Sequence, residues 1–419
     1  MSKMGPEGGL GGLGGLGGLG GLGGLGGLGG LGGLGGLGGL GGLGMLDSPI
    51  SADGLISNRD GIVGSWNPPS ATPALRDLEA TKHLPLWDAG VRAHIVDFEL
   101  ASRLGFAPGA VGSDKAHLWH LEITANNPVP NVAYKPFFEM KRPTAAIFKA
   151  QLQFLDRYAD LRSDRASEIL VQIDAARAFF ASIAYLRPDR TKWTLELLDA
   201  AYRLALSVEH RFKHAFACRR ANELSAQVQP MILTPSHGAL PSGHSTESFI
   251  IALVFSSVLR ASVSGIYAHV QWSEQLMRLA NRIAVNRTVA GVHYPVDSAA
   301  GAVLGLTLGQ YFVKRCTDKT GTGTYDAWSF DGAKFPSPSA QPPAPPVAPP
   351  LDGDFHWQEL YDAGDGTPQN PPKQKETKGG VYTAANEYAT KIGTQPQPLG
   401  APSPILNWLW DQAVNEWKV

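Results

Sequence analysis

The sequence predicts an all-α protein, a helical bundle, and three observations lead to this class. Between about residues 72 and 315, apolar side chains recur at spacings of three and four. Few stretches alternate with the period of two that strands require. Hydrophobic residues make up 43% of the 419 residues, which is enough for a sizeable interior.

The N-terminal segment 8–43 consists of twelve copies of Gly-Gly-Leu. Ordering a backbone that is two-thirds glycine is entropically costly, and one leucine in three residues matches neither the helix nor the strand period. We therefore expect residues 1–46 to be a disordered arm. The alternative is that the leucines contact a membrane or a partner.

The helices of the bundle follow one another along the chain. We expect a first helical region over residues 47–134 and the main core over residues 135–316. In the helix at 144–163, Ala145, Phe148 and Leu152 fall on one face. The predicted helices span residues 76–82, 86–104, 144–163, 166–186, 191–220, 245–262, 267–286 and 296–315.

The C-terminal quarter has a different composition. Residues 336–350 contain eight prolines, so the segment 317–403 is predicted to be a stiff, proline-rich and polar linker. Residues 404–419 recover an amphipathic helical pattern. That helix is expected to fold back onto the bundle or to pair with a second subunit in a homo-oligomer. Recruitment of a separate partner is the alternative.

Charge and targeting features exclude several classes. The chain has 36 basic and 37 acidic residues, and this balance gives no reason to expect nucleic-acid binding. No signal peptide is recognisable, and the apolar runs 248–259 and 299–312 are too short for a membrane span. We therefore expect a soluble, cytoplasmic protein. Cys218 and Cys316 allow one disulfide or two reduced thiols.

One short sequence, Pro241-Ser242-Gly243-His244, precedes a long apolar helical pattern. Ser242 suits the N-cap, and the backbone N–H groups of a helix start bind anions. His244 would stand at the rim of such a site.

Two further motifs supply cations and a second histidine. In the first, Arg287 offers a planar fork for an oxyanion, and Asp297 follows His293 by about one helical turn, so its carboxylate can orient the imidazole. In the second, Lys135 and Arg142 lie just before Pro143 and add two cations. Each motif is weak alone, but together they provide what a phosphate-shaped anion requires.

These three motifs resemble those of the type 2 phosphatidic acid phosphatase / vanadium-dependent haloperoxidase superfamily. The resemblance covers roughly residues 130–315 and implies a helical bundle of that type. It departs from the family at Asn286, where the family has serine. The resemblance implies that an oxyanion is bound by Lys135, Arg142, Ser242, the Gly243 N–H and Arg287.

The resemblance leaves two activities open, because they share one pocket. In phosphatase relatives, the residue matching His293 attacks phosphorus, the residue matching His244 moves protons, and Asp297 orients His293. No cofactor is then needed. In haloperoxidase relatives, the pocket holds vanadate as cofactor, with His293 as its ligand, and peroxide oxidises a halide.

The sequence context favours the haloperoxidase. The chain shows no membrane spans, no signal peptide, and a long region before the first motif. His237 lies seven positions before His244, where haloperoxidase relatives tune the halide site, and it resembles bromoperoxidases. The prediction is an enzyme acting on small molecules, either peroxide with bromide or iodide, or a phosphoester. A non-catalytic oxyanion-binding scaffold is the remote alternative.

Overall fold

The computed structural model describes residues 49–110, 112–124, 130–174, 176–267, 269–336, 353–364, 372–377 and 387–418. The predicted arm and most of the proline-rich stretch lie outside these residues. The helices α1 to α10 span Pro49–Ile62, Ala89–Ala101, Ala145–Ala159, Arg162–Asp174, Ala176–Ile183, Lys192–Phe216, Gly243–Ala261, Val270–Val289, Pro295–Thr317 and Pro404–Asn415.

Helices α7 and α9 form the centre of the bundle and pack along their length. Nearly all of their side chains are buried. Three glycines on one face of α9 permit the close approach. A Cβ on Gly301 would lie 2.5 Å from the Ser242 carbonyl oxygen, and one on Gly305 would lie 2.4 Å from the Thr246 carbonyl oxygen. At Gly309, the nearest atom is 3.2 Å away, on the Leu253 side chain.

The all-α prediction is corrected by a five-stranded sheet. Its strands are β1 (Leu104–Pro108), β2 (Lys115–Thr124), β3 (Asn131–Lys141), β5 (Trp328–Asp331) and β8 (Ala389–Lys391). They lie in that order, with β3 and β5 parallel and the other pairs antiparallel. The short strands β4 (Thr324–Tyr325), β6 (Tyr361–Asp362), β7 (Lys373–Gln374) and β9 (Gln397–Pro398) form two further pairs.

The residues of β2 have a strand pattern that the all-α prediction did not take into account. Ala116, Leu118 and His120 are buried while the residues between them are more exposed, which is the period of a half-buried strand. Residues 76–80, predicted to begin a helix, are irregular, and a 3₁₀ helix follows at Thr81–Leu86. The predicted helix at 166–186 is divided between α4 and α5.

The prediction of a linker over residues 317–403 is wrong for the described part of this segment, because that part contributes β5 and β8 to the sheet. The C-terminal helix folds back onto the bundle, as one of the expectations held. The Glu416 carboxylate accepts hydrogen bonds from the backbone N–H groups of Trp193 and Thr194 at the start of α6. Trp417 Nε1 donates to Thr194 Oγ1 over 2.8 Å.

Two other expectations are resolved in the described residues. Cys218 and Cys316 are buried and free, so the reading with two thiols holds. None of the helices in the described part of the chain is long and apolar enough to cross a membrane.

Gly305→Ala should lower the free energy of unfolding, whereas Gly309→Ala should not. At position 305, the added methyl group meets backbone that must move, at a cost of about 1–3 kcal/mol. Alanine returns at most about 1 kcal/mol through helix propensity. At position 309, the Leu253 side chain gives way. Denaturant unfolding of the two variants measures the difference, and equal stability would contradict the proposed role of the glycine face.

Candidate active site

The starts of α7 and α9 meet at the centre of the bundle. The Ser242 backbone N–H donates to the carbonyl oxygen of Asp297 over 2.9 Å. Ser242 occupies the N-cap position, as predicted, but its hydroxyl makes no cap hydrogen bond. Ser242 is fully buried, and its Oγ has no hydrogen-bond partner among the described residues. A polar atom in this state can bind a ligand at the helix start.

His293 has the protonation pattern of a nucleophile or a ligand. Its Nε2 lies 3.0 Å from Arg220 Nη1, and its Nδ1 lies 3.1 Å from Asp297 Oδ2. Because a guanidinium can only donate, Nε2 carries the lone pair and Nδ1 carries the proton. Burial, followed by the charge of Arg220, lowers the pKa of His293 well below its ordinary value. The imidazole is therefore neutral.

Arg220 is a site residue that the sequence analysis missed. Each N–H group of its buried guanidinium has an acceptor: the carbonyl oxygens of His237, Gly238 and Val292, Nδ1 of His237 and Nε2 of His293. Burial lowers the pKa of Arg220 to about 10, so the side chain stays charged at neutral pH.

Lys213 is the second missed cation. It lies in the last turn of α6, is 2% exposed, and donates to the carbonyl oxygen of Pro241. Ala217, just after the helix, has a left-handed backbone with φ of 45°, which turns the chain sharply. This turn brings Lys213 and Arg220 to the same side of the site.

Arg287 reaches the site from the end of α8 and is 1% exposed. Its Nη2 donates to the Ile169 carbonyl oxygen and to Gln172 Oε1, over 3.2 and 3.1 Å. Its Nε and Nη1 have no partner within the described part of the chain. Each unpaired buried donor costs about 1–3 kcal/mol. An oxyanion would satisfy these donors.

His244 lies in the first turn of α7, and its Nε2 is 3.2 Å from the Gln172 carbonyl oxygen. Nε2 therefore carries the proton, and Nδ1 is the basic atom. Burial, followed by the charge of Arg287, lowers the pKa of His244 well below its ordinary value. The side chain lines a cavity of about 40 Å³ together with Gln172, Tyr202 and Glu247.

Two predicted residues, Lys135 and Arg142, are not part of this cluster. Lys135 lies on β3 and forms an ion pair with Glu122 over 3.2 Å. Arg142 is exposed beyond the end of that strand and donates to the Phe216 carbonyl oxygen over 3.4 Å. Both cations therefore lie outside the cluster.

Spacing alone makes the missed pair a second candidate, equal to the first. Lys213 and Arg220 are separated by six residues, as are Lys135 and Arg142, but Ala221 stands where the first pair has a proline. The structure brings together the remaining predicted residues, Ser242, Gly243, His244, Arg287, His293 and Asp297. His237 joins them through Arg220. Asn286 binds Glu168 and Gln172 behind Arg287, which explains why an amide is accepted there.

Replacing either missed cation should weaken oxyanion binding. A charge-assisted hydrogen bond contributes about 1.5–3 kcal/mol, so Lys213→Met or Arg220→Gln should lower phosphate affinity about tenfold or more. Titration calorimetry measures the affinity. Lys135→Met and Arg142→Gln are the matched controls and should bind phosphate as the unmodified protein does. If phosphate binding weakens in the Lys135 and Arg142 variants and not in the other two, the site belongs to Lys135 and Arg142 instead.

Asp297→Asn should stabilise the protein at alkaline pH. Burial raises the pKa of Asp297 from 3.8 to about 7. The carboxyl contributes its full amount to the free energy of unfolding at pH values below its pKa in the unfolded state. This contribution is lost as the pH rises through its folded-state pKa of about 7. The ionised carboxylate thus costs up to about 4 kcal/mol. The advantage of the variant in unfolding free energy should grow from about pH 4 to about pH 7 and then stay constant. A difference that does not change with pH would contradict this.

One family model matches the part of the chain that holds most of these residues. The model of the PAP2 superfamily matches residues 175–320. This range contains Lys213, Arg220, Arg287, His293 and the start of α7, whereas the first predicted cation pair lies outside it. The comparison with curated proteins finds no match. Residues 175–320 of this chain are therefore similar to the PAP2 superfamily, the superfamily that the motifs resemble.

Proposed function

We propose that this chain is a vanadate-dependent haloperoxidase that oxidises bromide or iodide with hydrogen peroxide. The observation that carries the proposal is the set of buried donors around a histidine lone pair. Among the described residues, Arg287 and Ser242 hold polar atoms without partners. His293, whose Nε2 is in its basic form, lies just before the adjoining start of α9.

The donor set fits a tetrahedral oxyanion. Arg287, Lys213 and Arg220 would neutralise its charge, and Ser242 Oγ and the Gly243 N–H would hold one face. His293 Nε2 would coordinate the central atom. Bound vanadate would supply a Lewis-acid centre that activates peroxide for attack by a halide. The remaining steps belong to the side chains.

Asp297 and Arg220 prepare His293. The Asp297 carboxylate accepts a hydrogen bond from His293 Nδ1–H over 3.1 Å, which keeps the lone pair on Nε2. In the present structure, Arg220 Nη1 donates to that lone pair. Ligand binding would exchange this bond for one to an oxyanion oxygen, so Arg220 would keep a partner in both states.

His244 is suited to accept a proton from an incoming reactant. Its Nε2–H is fixed on the Gln172 carbonyl oxygen, which leaves Nδ1 as the base. The low pKa of His244 keeps this atom unprotonated. A bound anion would raise that pKa by offsetting the charge of Arg287, and this would favour proton transfer.

The size of the cavity supports small reactants. About 40 Å³ beside His244 accommodates molecules close to water in size, such as peroxide or a halide. His237 is held by Arg220, and burial lowers its pKa to about 3, so it presents a neutral ring to an approaching halide. A phosphomonoesterase acting through a phosphohistidine at His293 is the second candidate, favoured by the basic Nε2.

A paired assay tests the proposal. One half of a preparation receives orthovanadate, peroxide, bromide and a halogen acceptor. The other half is vanadate-free and receives an aryl phosphate. We expect halogenation that requires vanadate, with little phosphate release. Phosphate release that vanadate inhibits, without halogenation, would establish the phosphatase instead.

His293→Ala should abolish the activity in that assay, since no other described atom supplies the Nε2 lone pair. His214→Ala, at an exposed position on α6, is the matched control and should retain full turnover. Full turnover in the His293 variant would exclude both candidate mechanisms, because each of them requires the Nε2 lone pair.

A further inference from the structure

A buried carboxylate lies within the anion site, and no step above uses it. Glu209 is on α6, one turn before Lys213, and is 1% exposed. Its Oε1 lies 2.5 Å from the point where a Cβ on Gly243 would be. The carboxylate therefore packs against the first turn of α7, where the oxyanion is proposed to bind.

The contacts of Glu209 are incomplete. Its Oε1 is 3.9 Å from Lys213 Nζ, and Oε2 has no hydrogen-bond partner among the described residues. A buried carboxylate normally has partners for both oxygens. The free oxygen and the adjoining helix start thus offer a position for a ligand. An ionised carboxylate would accept a hydrogen bond from that ligand, and a protonated carboxyl would donate one to it.

The surroundings of Glu209 make its carboxyl easier to protonate than an exposed one. Burial raises the pKa of the carboxyl, and the nearby cations only partly oppose this. From α7, the half-buried carboxyl of Glu247 also has a raised pKa, to which Glu209 contributes. The charged or titratable groups that face Glu209 are Tyr202, His210 and Lys213 on its own helix, Arg220 on the following loop, and Glu247 on α7.

We propose that Glu209 takes up one proton from solvent when a tetrahedral oxyanion binds, and then donates its O–H to an oxyanion oxygen. The inference rests on the proposed oxyanion site. An ionised Glu209 and an oxyanion would both lie at the start of α7 beside Lys213, and two like charges at that distance repel. Protonation removes the repulsion and converts Oε2 from an unpaired acceptor into a donor. No other bond forms or breaks.

The proposal gives oxyanion affinity a pH dependence of defined sign. Binding that consumes a proton weakens by up to about tenfold per pH unit once the carboxyl of the empty site is ionised. Lys213 also adds a dependence of the same sign, because burial lowers its pKa. A measurement of affinity alone does not separate the two groups, so the test requires a signal specific to a carboxylic acid.

Infrared difference spectroscopy supplies that signal, with tungstate as the probe because it is a tetrahedral dianion at neutral and alkaline pH. Tungstate binding to the full-length protein should produce the C=O stretch of a protonated carboxyl. Calorimetry in two buffers of different ionisation enthalpy should show proton uptake in the same step. Glu209→Gln should lose the infrared band, and Glu247→Gln, the matched control, should keep it.

The outcomes separate this inference from the proposed function. Tungstate that binds without the carboxylic acid band in the unmodified protein would overturn the role of Glu209 and leave the oxyanion site intact. A band that persists in Glu209→Gln and disappears in Glu247→Gln would assign the proton to the other carboxyl and also overturn it. If tungstate does not bind at all, the proposed function itself fails.

Discussion

The close contact between α7 and α9 is the constraint on which the site depends. Gly301 and Gly305 allow α9 to approach the backbone of α7, and Ser242 then donates directly to the Asp297 carbonyl oxygen. This contact joins the helix start where we propose that an anion binds to the helix start next to His293. A larger side chain on that face of α9 would separate the two halves of the site.

The electrostatics of the pocket follow from the burial of its charged side chains. Three cationic side chains are almost fully buried: Lys213, Arg220 and Arg287. Burying a charge costs free energy unless hydrogen-bond or ion-pair partners compensate for it. Arg220 has an acceptor for each N–H group, whereas Nε and Nη1 of Arg287 have no partner among the described residues. Unpaired buried donors of this kind support the proposed oxyanion site. Burial is the first cause of the lowered pKa values of Arg220, Arg287 and His293.

Local patterns were enough to predict much of the site. Ser242, His244, His293 and Asp297 lie at two helix starts, and a helix start is readable from a cap, a proline and the apolar period that follows. The bundle helices were predicted for the same reason. Their buried faces repeat every three or four residues.

Long-range pairing was not predictable in this way. The strand that carries Lys135 is held by partners distant in the chain, and its alternation is short. The pairs Lys135–Arg142 and Lys213–Arg220 have the same spacing, and only the turn at Ala217 shows which pair converges on the histidines. Glu209 gave no sequence signal, because its role depends on the absence of a side chain at Gly243.

The central claim is that one oxyanion binds between the starts of α7 and α9. A crystal structure of the protein soaked in tungstate tests this most directly, since the anomalous signal locates the metal atom without bias from the fold. The account predicts a peak next to His293 Nε2, within reach of Arg287 and Lys213. A peak beside Lys135 and Arg142, with none near His293, would contradict it.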